Sequence, residues 1–216
     1  MVDTIRLCME EKCPLCNTKS PMFYEDRQRY CRCPECRAVF VVEEDLPQRD
    51  EERQRYEMHD IDTEDEGYRT FVSPITEAIQ KDFTATHKGL DFGAGRSAII
   101  AVVLRESGYD VLNYDPYFHN YPQYLQAEYD YISSCEVIEH FYKPYREFKR
   151  LREMLREGGR LYLMTDMYDE RDFASWYYKN DPTHVFLYTK ETFAWIKEHF
   201  GFKKLEIEKR FIQFSL

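Results

Sequence analysis

Gly89-Leu90-Asp91-Phe92-Gly93-Ala94-Gly95-Arg96-Ser97-Ala98 is the stretch on which the fold turns. A short apolar approach carries an acid, passes two glycines one residue apart and opens into a helix-compatible run from Ser97 to Leu104. That order is a strand entering a glycine turn and leaving it as a helix. Glycine at 93 and 95 lets the backbone approach a ligand that a Cβ would hold off, and the helix start beyond them offers free N–H groups. Gly93-x-Gly95-x-x-Ala98 also fits the dinucleotide fingerprint. The turn alone therefore leaves a nicotinamide cofactor, another nucleotide-like ligand and a plain strand-to-helix connection all open.

Three neighbouring features narrow the choice. Tyr109 to Asp115 reads as a second strand after Gly108 ends the helix. It delivers Asp115 where an α/β nucleotide site needs an acceptor for ribose hydroxyls, and Pro116 then stops it. Asp91, just before the first glycine, would repel a pyrophosphate and attract a phosphate-free ligand with a cationic end. S-adenosylmethionine has a ribose, an amino group, a sulfonium and no phosphate. The alternative for Asp91 is an acid that caps the helix. The third feature is a strand from Tyr129 to Cys135 that runs into Glu136, Glu139 and His140. Open α/β sheets bind ligands at the carboxyl ends of their strands, although the same spacing also fits the charged face of a surface helix.

Together these blocks resemble the class I S-adenosylmethionine-dependent methyltransferases. Leu90-Asp91-Phe92-Gly93-Ala94-Gly95 is similar to that family's first motif, and Tyr114-Asp115 to its second-strand acid. Cys135-Glu136-Val137-Ile138-Glu139-His140-Phe141 resembles its fourth-strand motif, and Gly158-Gly159-Arg160-Leu161-Tyr162-Leu163 its turn into the fifth strand. The resemblance covers about residues 87–216 and implies a Rossmann-like α/β sheet with helices on both faces. It implies S-adenosylmethionine held by Asp91, Phe92, Gly93, Ala94, Gly95, Asp115, Pro116, Cys135 and Glu136. Ser97 stands where many members carry a third glycine. The span from Asp115 to Asp130 is short for the helix, strand and helix usually found there, so a very short third strand is expected. Tyr117, Phe118, Tyr121, Tyr124 and Tyr129 then cover the adenine or fill volume.

Cys13-Pro14-Leu15-Cys16 and Cys33-Pro34-Glu35-Cys36 form two Cys-x-x-Cys knuckles sixteen residues apart. Each presents two thiolates to one tetrahedral ion, and the span between suits a hairpin, so Zn2+ is expected on Cys13, Cys16, Cys33 and Cys36. Cys8 and Cys31 are left over, and Cys31 lies close enough to exchange with Cys33. Asn17 suits a left-handed turn after the first knuckle; Arg37 suits it poorly after the second. Four thiolates leave no open position, so the ribbon reads as structural. Arg27, Arg29, Arg32 and Arg37 interleave with Phe23, Tyr24, Tyr30 and Phe40. That pattern fits either RNA stacking or a small aromatic core with a solubilising arginine surface. Paired knuckles ahead of such a core resemble a group of bacterial methyltransferases with an N-terminal zinc ribbon.

The expected layout is thus a zinc ribbon over 1–45, an acidic helical linker or lid over 46–84 and a methyltransferase domain over 85–216. Of the net charge of −10, the stretch from Glu43 to Glu66 supplies −9 through 12 acids and 3 arginines, so the flanking parts are near neutral. His59 and Tyr68 are lid candidates, or else part of a packed linker. No apolar run approaches the roughly 18 residues of a membrane span, and the N-terminus lacks a signal-peptide core, so a cytoplasmic protein is expected.

Methyl transfer to oxygen or nitrogen requires alignment of donor and acceptor and loss of a proton, for which His140 and His184 are the candidate bases. The acceptor is expected to be a small molecule. RNA or protein docking through the ribbon, and a non-catalytic cofactor-binding zinc adaptor, are the alternatives.

Overall fold

In the computed structural model, which describes residues 10–48, 62–170 and 172–216, parallel pairing places the glycine turn at the centre of a sheet. Strands β1 (Glu10–Lys12), β2 (Lys19–Glu25), β3 (Arg29–Arg32) and β4 (Val39–Val41) precede helix α1 (Glu66–Asp82). Next come β5 (Gly89–Phe92), α2 (Ile99–Glu106), β6 (Val111–Tyr114), β7 (Tyr129–Cys135), α3 (Pro144–Glu153) and β8 (Leu155–Met164). The chain finishes with β9 (Phe186–Leu187), α4 (Lys190–Phe200), β10 (Lys204–Glu208) and β11 (Phe211–Ser215).

Six strands form the larger sheet in the order β10-β11-β8-β7-β5-β6. β6, β5, β7 and β8 run parallel, and β11 and β10 close the edge antiparallel. Alternation along the strands separates two buried faces. Leu90, Phe92, Ile132, Leu161 and Leu163 share one apolar cluster with Phe148 of α3 and Phe193 of α4. Tyr131, Tyr162 and Met164 share another with Val72, Ile75 and Ile79 of α1 and Ile100 and Leu104 of α2. Helices cover both faces, as a largely parallel sheet requires.

Several local expectations shift. Among the described residues no third strand lies between β6 and β7. An isolated Asp115–His119 bridge and a 3-10 turn at Pro122–Gln126 take its place. Tyr129 is fully buried and donates to the Tyr124 carbonyl at 2.8 Å, so it fills volume rather than covering a ligand. β8 begins at Leu155 rather than Arg160, because its ladder with β7 slips between Tyr129 and Tyr131 and absorbs the extra residues in an irregularity. Phe173 to Asn180, whose aromatic spacing predicts a short helix over Phe173 to Tyr178, form a turn followed by a 3-10 segment, Tyr177–Asn180. Phe173, Trp176 and Tyr178 are all buried there, a pattern no single helix face provides. The apolar spacing of Ile75, Ala78, Ile79 and Phe83 predicts a helix only from Pro74, but α1 runs through Pro74, with Asp65 capping its first turn. Tyr56, His59 and Cys8 lie outside the described residues.

The ribbon is not a free-standing module. β1 to β4 form an antiparallel sheet whose fifth strand is β9, contributed from beyond β8. Phe23 and Tyr24 of β2 and Tyr30 of β3 pack edge-on against Phe173, with centroids 5.1–5.2 Å apart. Arg29 pairs with Glu44 and Asp45, and Arg32 and Arg37 pair with Glu170. Tyr30 and Phe40 are therefore buried, Phe23 and Tyr24 are half-buried against Phe173, and these three arginines are paired with acids.

Candidate active site

Gly93 has a φ of +74°, and a Cβ there would lie 2.5 Å from Val137 Cγ1. Glycine is thus required both by conformation and by the approach of the β7 end. Gly95, at φ +63°, has nothing within 4 Å of where its Cβ would stand, so its outer face is open. The Gly93 and Ala94 N–H groups both donate to the Tyr114 carbonyl, tying the turn to β6. Asp115 is 7% exposed. Its Oδ2 accepts from Gly95 N–H at 3.0 Å, and its Oδ1 accepts from the N–H groups of Tyr117 and Phe118. Asp115 thus welds the loop after β6 to the glycine turn. Pro116 follows it, exposed. Phe92 is buried with its ring 5.6 Å from that of Tyr114. The left-handed position at the start of α2 falls to Ala98, at φ 45°. Cys135 and Glu136 end β7 directly beside Val137, and burial pushes the Cys135 thiol up.

Asp91 sits beneath the turn rather than in the open. It is 2% exposed, accepts from Ser133 Oγ at 3.0 Å and takes the free Ala101 N–H in the first turn of α2. Burial pushes its carboxyl up from 3.8 to about 7. The folded state therefore keeps a proton that the unfolded chain releases, and Asp91 lowers stability progressively as pH rises from about 4 to 7. Asp91→Asn is expected to flatten the fall in urea-unfolding free energy between pH 5 and 8. An unchanged slope would contradict this assignment.

At the carboxyl ends of β7 and β8 lies a polar cluster. Glu139 is fully buried and accepts from Thr165 Oγ1 at 3.2 Å and from the Tyr178 hydroxyl. Glu136 accepts from the same hydroxyl at 3.1 Å and from Arg210, against whose ring-facing side Phe71 and Tyr178 stack. Desolvation pushes both carboxyls up to about 7, with their mutual repulsion adding to the shift at Glu136. His140 donates Nδ1–H to the Thr183 carbonyl at 2.9 Å, and His184 donates Nδ1–H to the Tyr178 carbonyl at 2.7 Å. In the neutral rings the lone pair is then on Nε2, and the two rings stand 4.9 Å apart. A cavity of about 420 Å³ opens beside them, lined by Phe71, Glu136, Tyr177, Tyr178, His184 and Arg210.

The structure thus brings His140 and His184 together although they lie far apart in sequence. Arg210 and Thr165 carried no signal of their own. Arg210 arrives because β11 starts opposite the end of β8, with Phe211 paired to Met164 and the Thr165 N–H bonded to the Arg210 carbonyl. Tyr68 is half-buried on α1, its phenol pushed up by burial and by surrounding groups that include Cys135 and Glu136.

In the ribbon, Cys13 Sγ lies 3.6 Å from Cys36 Sγ and Cys16 Sγ lies 3.3 Å from Cys33 Sγ, and all four fall within 4.8 Å of one another. Cys31 is buried in β3, outside this cluster. Asn17 and Arg37 adopt matching left-handed conformations, at φ 62° and 63°. Arg37 takes the strained position while its guanidinium reaches Glu170. Four free cysteine sulfurs at this spacing are the donor set of a tetrahedral thiolate site.

No curated protein matches the sequence. Among solved structures, an S-adenosylmethionine-dependent methyltransferase from Archaeoglobus fulgidus aligns with 20% identity and a TM-score of 0.52, over 65% of this chain and 72% of the other. Human N-acetylserotonin methyltransferase, solved with S-adenosylmethionine, aligns with 11% identity and a TM-score of 0.51, over 68% of this chain and 53% of the other. Phosphoethanolamine N-methyltransferase 2 from Haemonchus contortus aligns with 18% identity and a TM-score of 0.50, over 62% and 38%. At these identities the likeness concerns the fold, which is that of the class I methyltransferases. The family described as a methyltransferase domain matches residues 59–207, from late in the acidic segment through the glycine turn and the histidine cluster to β10, so the chain belongs to that methyltransferase family.

Proposed function

We propose that the protein transfers a methyl group from S-adenosylmethionine to a small-molecule acceptor. The observation that carries this reading is the position of the 420 Å³ cavity, which is lined by Glu136 just after β7, while the following residue, Val137, packs on Gly93. Donor and acceptor sites would thus meet across one short segment. The bound cofactor supplies an electrophilic methyl group on a sulfonium.

The chain's own residues do the rest. The open face of Gly95 admits the ligand, and Asp115 holds the loop that would flank its ribose. Asp91, buried below, fixes the start of α2. Cys135 and Glu136 border the ligand from β7, with Phe92, Ala94 and Pro116 completing its surround. His184 and His140 handle the acceptor's proton, each oriented by a backbone carbonyl. The cavity is in the size range of small-ligand sites. Tyr30 is buried and Phe23 and Tyr24 pack edge-on against Phe173, which disfavours a base-stacking surface there. Cys13, Cys16, Cys33 and Cys36 hold a structural Zn2+, which orders the ribbon and through it β9.

Calorimetry with S-adenosylhomocysteine tests the donor side. Asp115→Ala is expected to weaken binding about tenfold or more, because the Gly95 N–H loses its carboxylate partner and the turn loosens. Equal affinity in both proteins would overturn the assignment. A metabolite-extract screen with labelled methyl donor addresses the acceptor.

A further inference from the structure

Glu139, His140 and His184 each bring one potential ligand atom within 4.8 Å of the other two. Their surroundings match those of metal ligands. Both imidazoles are fixed through Nδ1–H to backbone carbonyls, at 2.9 and 2.7 Å, which sets the tautomer that places a lone pair on Nε2. The Glu139 carboxylate is fully buried and oriented by the hydroxyls of Thr165 and Tyr178. Charge and proton counts point the same way. Arg210 forms its ion pair with Glu136, not with Glu139. Tyr178 has one proton to give, yet both carboxylates face its oxygen. Glu136 Oε1 is buried with no hydrogen-bond partner. Two carboxyl groups thus face one guanidinium and one phenol.

We propose that Glu139, His140 and His184 bind a divalent first-row cation at the edge of the acceptor cavity, leaving coordination positions open for oxygens of the methyl acceptor. Two imidazoles and a carboxylate suit Mn2+, Fe2+, Co2+ or Zn2+ better than Mg2+ or Ca2+. Three protein ligands leave room on a six-coordinate ion for two acceptor oxygens, so the favoured substrates offer a hydroxyl beside a second oxygen donor, as in a vicinal diol, a catechol or a hydroxy acid. The inference rests on the methyltransferase reading and deepens it. The histidines act on the acceptor's proton as ligands of the cation, which makes the hydroxyl more acidic and lets its proton pass to water.

The test uses the full chain with its thiolate site already loaded with Zn2+, titrated with Mn2+ and followed by electron paramagnetic resonance of the free ion. Because Mn2+ is a hard ion, it does not compete for four thiolates. The expected result is uptake of about one Mn2+ per chain, weakened about tenfold or more in both His184→Ala and Glu139→Gln. His184 is only half-buried, so its variant remains informative if Glu139→Gln does not fold. No Mn2+ uptake, or affinity unchanged in both variants, overturns the inference. Parallel calorimetry with S-adenosylhomocysteine separates the two readings. Cofactor binding without Mn2+ uptake overturns the cation site alone. Mn2+ uptake without cofactor binding supports the site while overturning the methyltransferase reading.

Discussion

Replacing Cys33 with Ser, or stripping the ribbon with a chelator, is expected to lower methyl transfer roughly a hundredfold while leaving S-adenosylhomocysteine affinity within a few-fold. The asymmetry follows from what each part of the site hangs on. The glycine turn is held by β5, β6 and β7, with β5 paired to both neighbours, and no ribbon strand pairs with any of them. The histidine cluster is held by the ribbon. β4 pairs with β9 at Val39–Leu187 and Phe40–Phe186, and Val41 N–H donates to the Val185 carbonyl. The side-chain amide of Gln28 donates to the Pro182 carbonyl at 3.1 Å, and the Tyr30 hydroxyl donates to the Lys179 carbonyl at 3.2 Å. The segment carrying Thr183 and His184 is therefore suspended from ribbon backbone, and Thr183 in turn orients His140. Structural zinc contributes on the order of 10 kcal/mol to the folding of such modules, so its loss releases the ribbon strands. Misplacing a reacting group by about 1 Å costs on the order of a hundredfold in rate. The measurement is turnover and calorimetry on the same preparation. Parallel loss of both, or of neither, would contradict this division of labour.

This dependence also marks where the sequence was legible. The strand–glycine–helix unit and β7 are local, and their elements fall at or within a few residues of where hydrophobic runs and glycines put them. Both knuckles assemble as their spacing requires. The role of β9 was not legible, because two residues of apolar sequence do not state which sheet they will join. The pairing of His140 with His184 was hidden for a similar reason. It depends on the Thr183 carbonyl, on β9 docking to β4 and on the Tyr178 carbonyl, contacts that only the folded chain makes. The ribbon aromatics were ambiguous because burial against Phe173 is a tertiary fact. Phe23 and Tyr24 look the same in sequence whether they face a base or another ring. Asp91 was placed at the right position but read as facing the ligand. In the fold, strand alternation turns it under α2, onto the face it shares with Tyr131 and Tyr162, where Ser133 and the Ala101 N–H receive it.

Gly95→Ala is expected to abolish measurable S-adenosylhomocysteine binding, by about a hundredfold or more, while barely changing the melting temperature. Gly93→Ala is expected to lose both. The two glycines sit one residue apart with similar positive φ, so both substitutions carry a left-handed penalty of about 1 kcal/mol. They differ in what the new methyl group meets. At 93 it lies 2.5 and 2.6 Å from the two γ carbons of Val137, so β7's end or the turn must move, and packed interiors resist this. At 95 it meets nothing within 4 Å and projects into the space proposed for the cofactor. A pure loss of binding at 95 therefore reports ligand contact, and a combined loss at 93 reports the fold beneath it. Adding Val137→Ala to Gly93→Ala removes the two closest contacts and leaves a tight one of 3.1 Å to Cβ together with the backbone penalty, and should restore part of the stability. Thermal unfolding and calorimetry on the three variants check the pattern. Undiminished binding in Gly95→Ala would place the cofactor elsewhere than over the glycine turn.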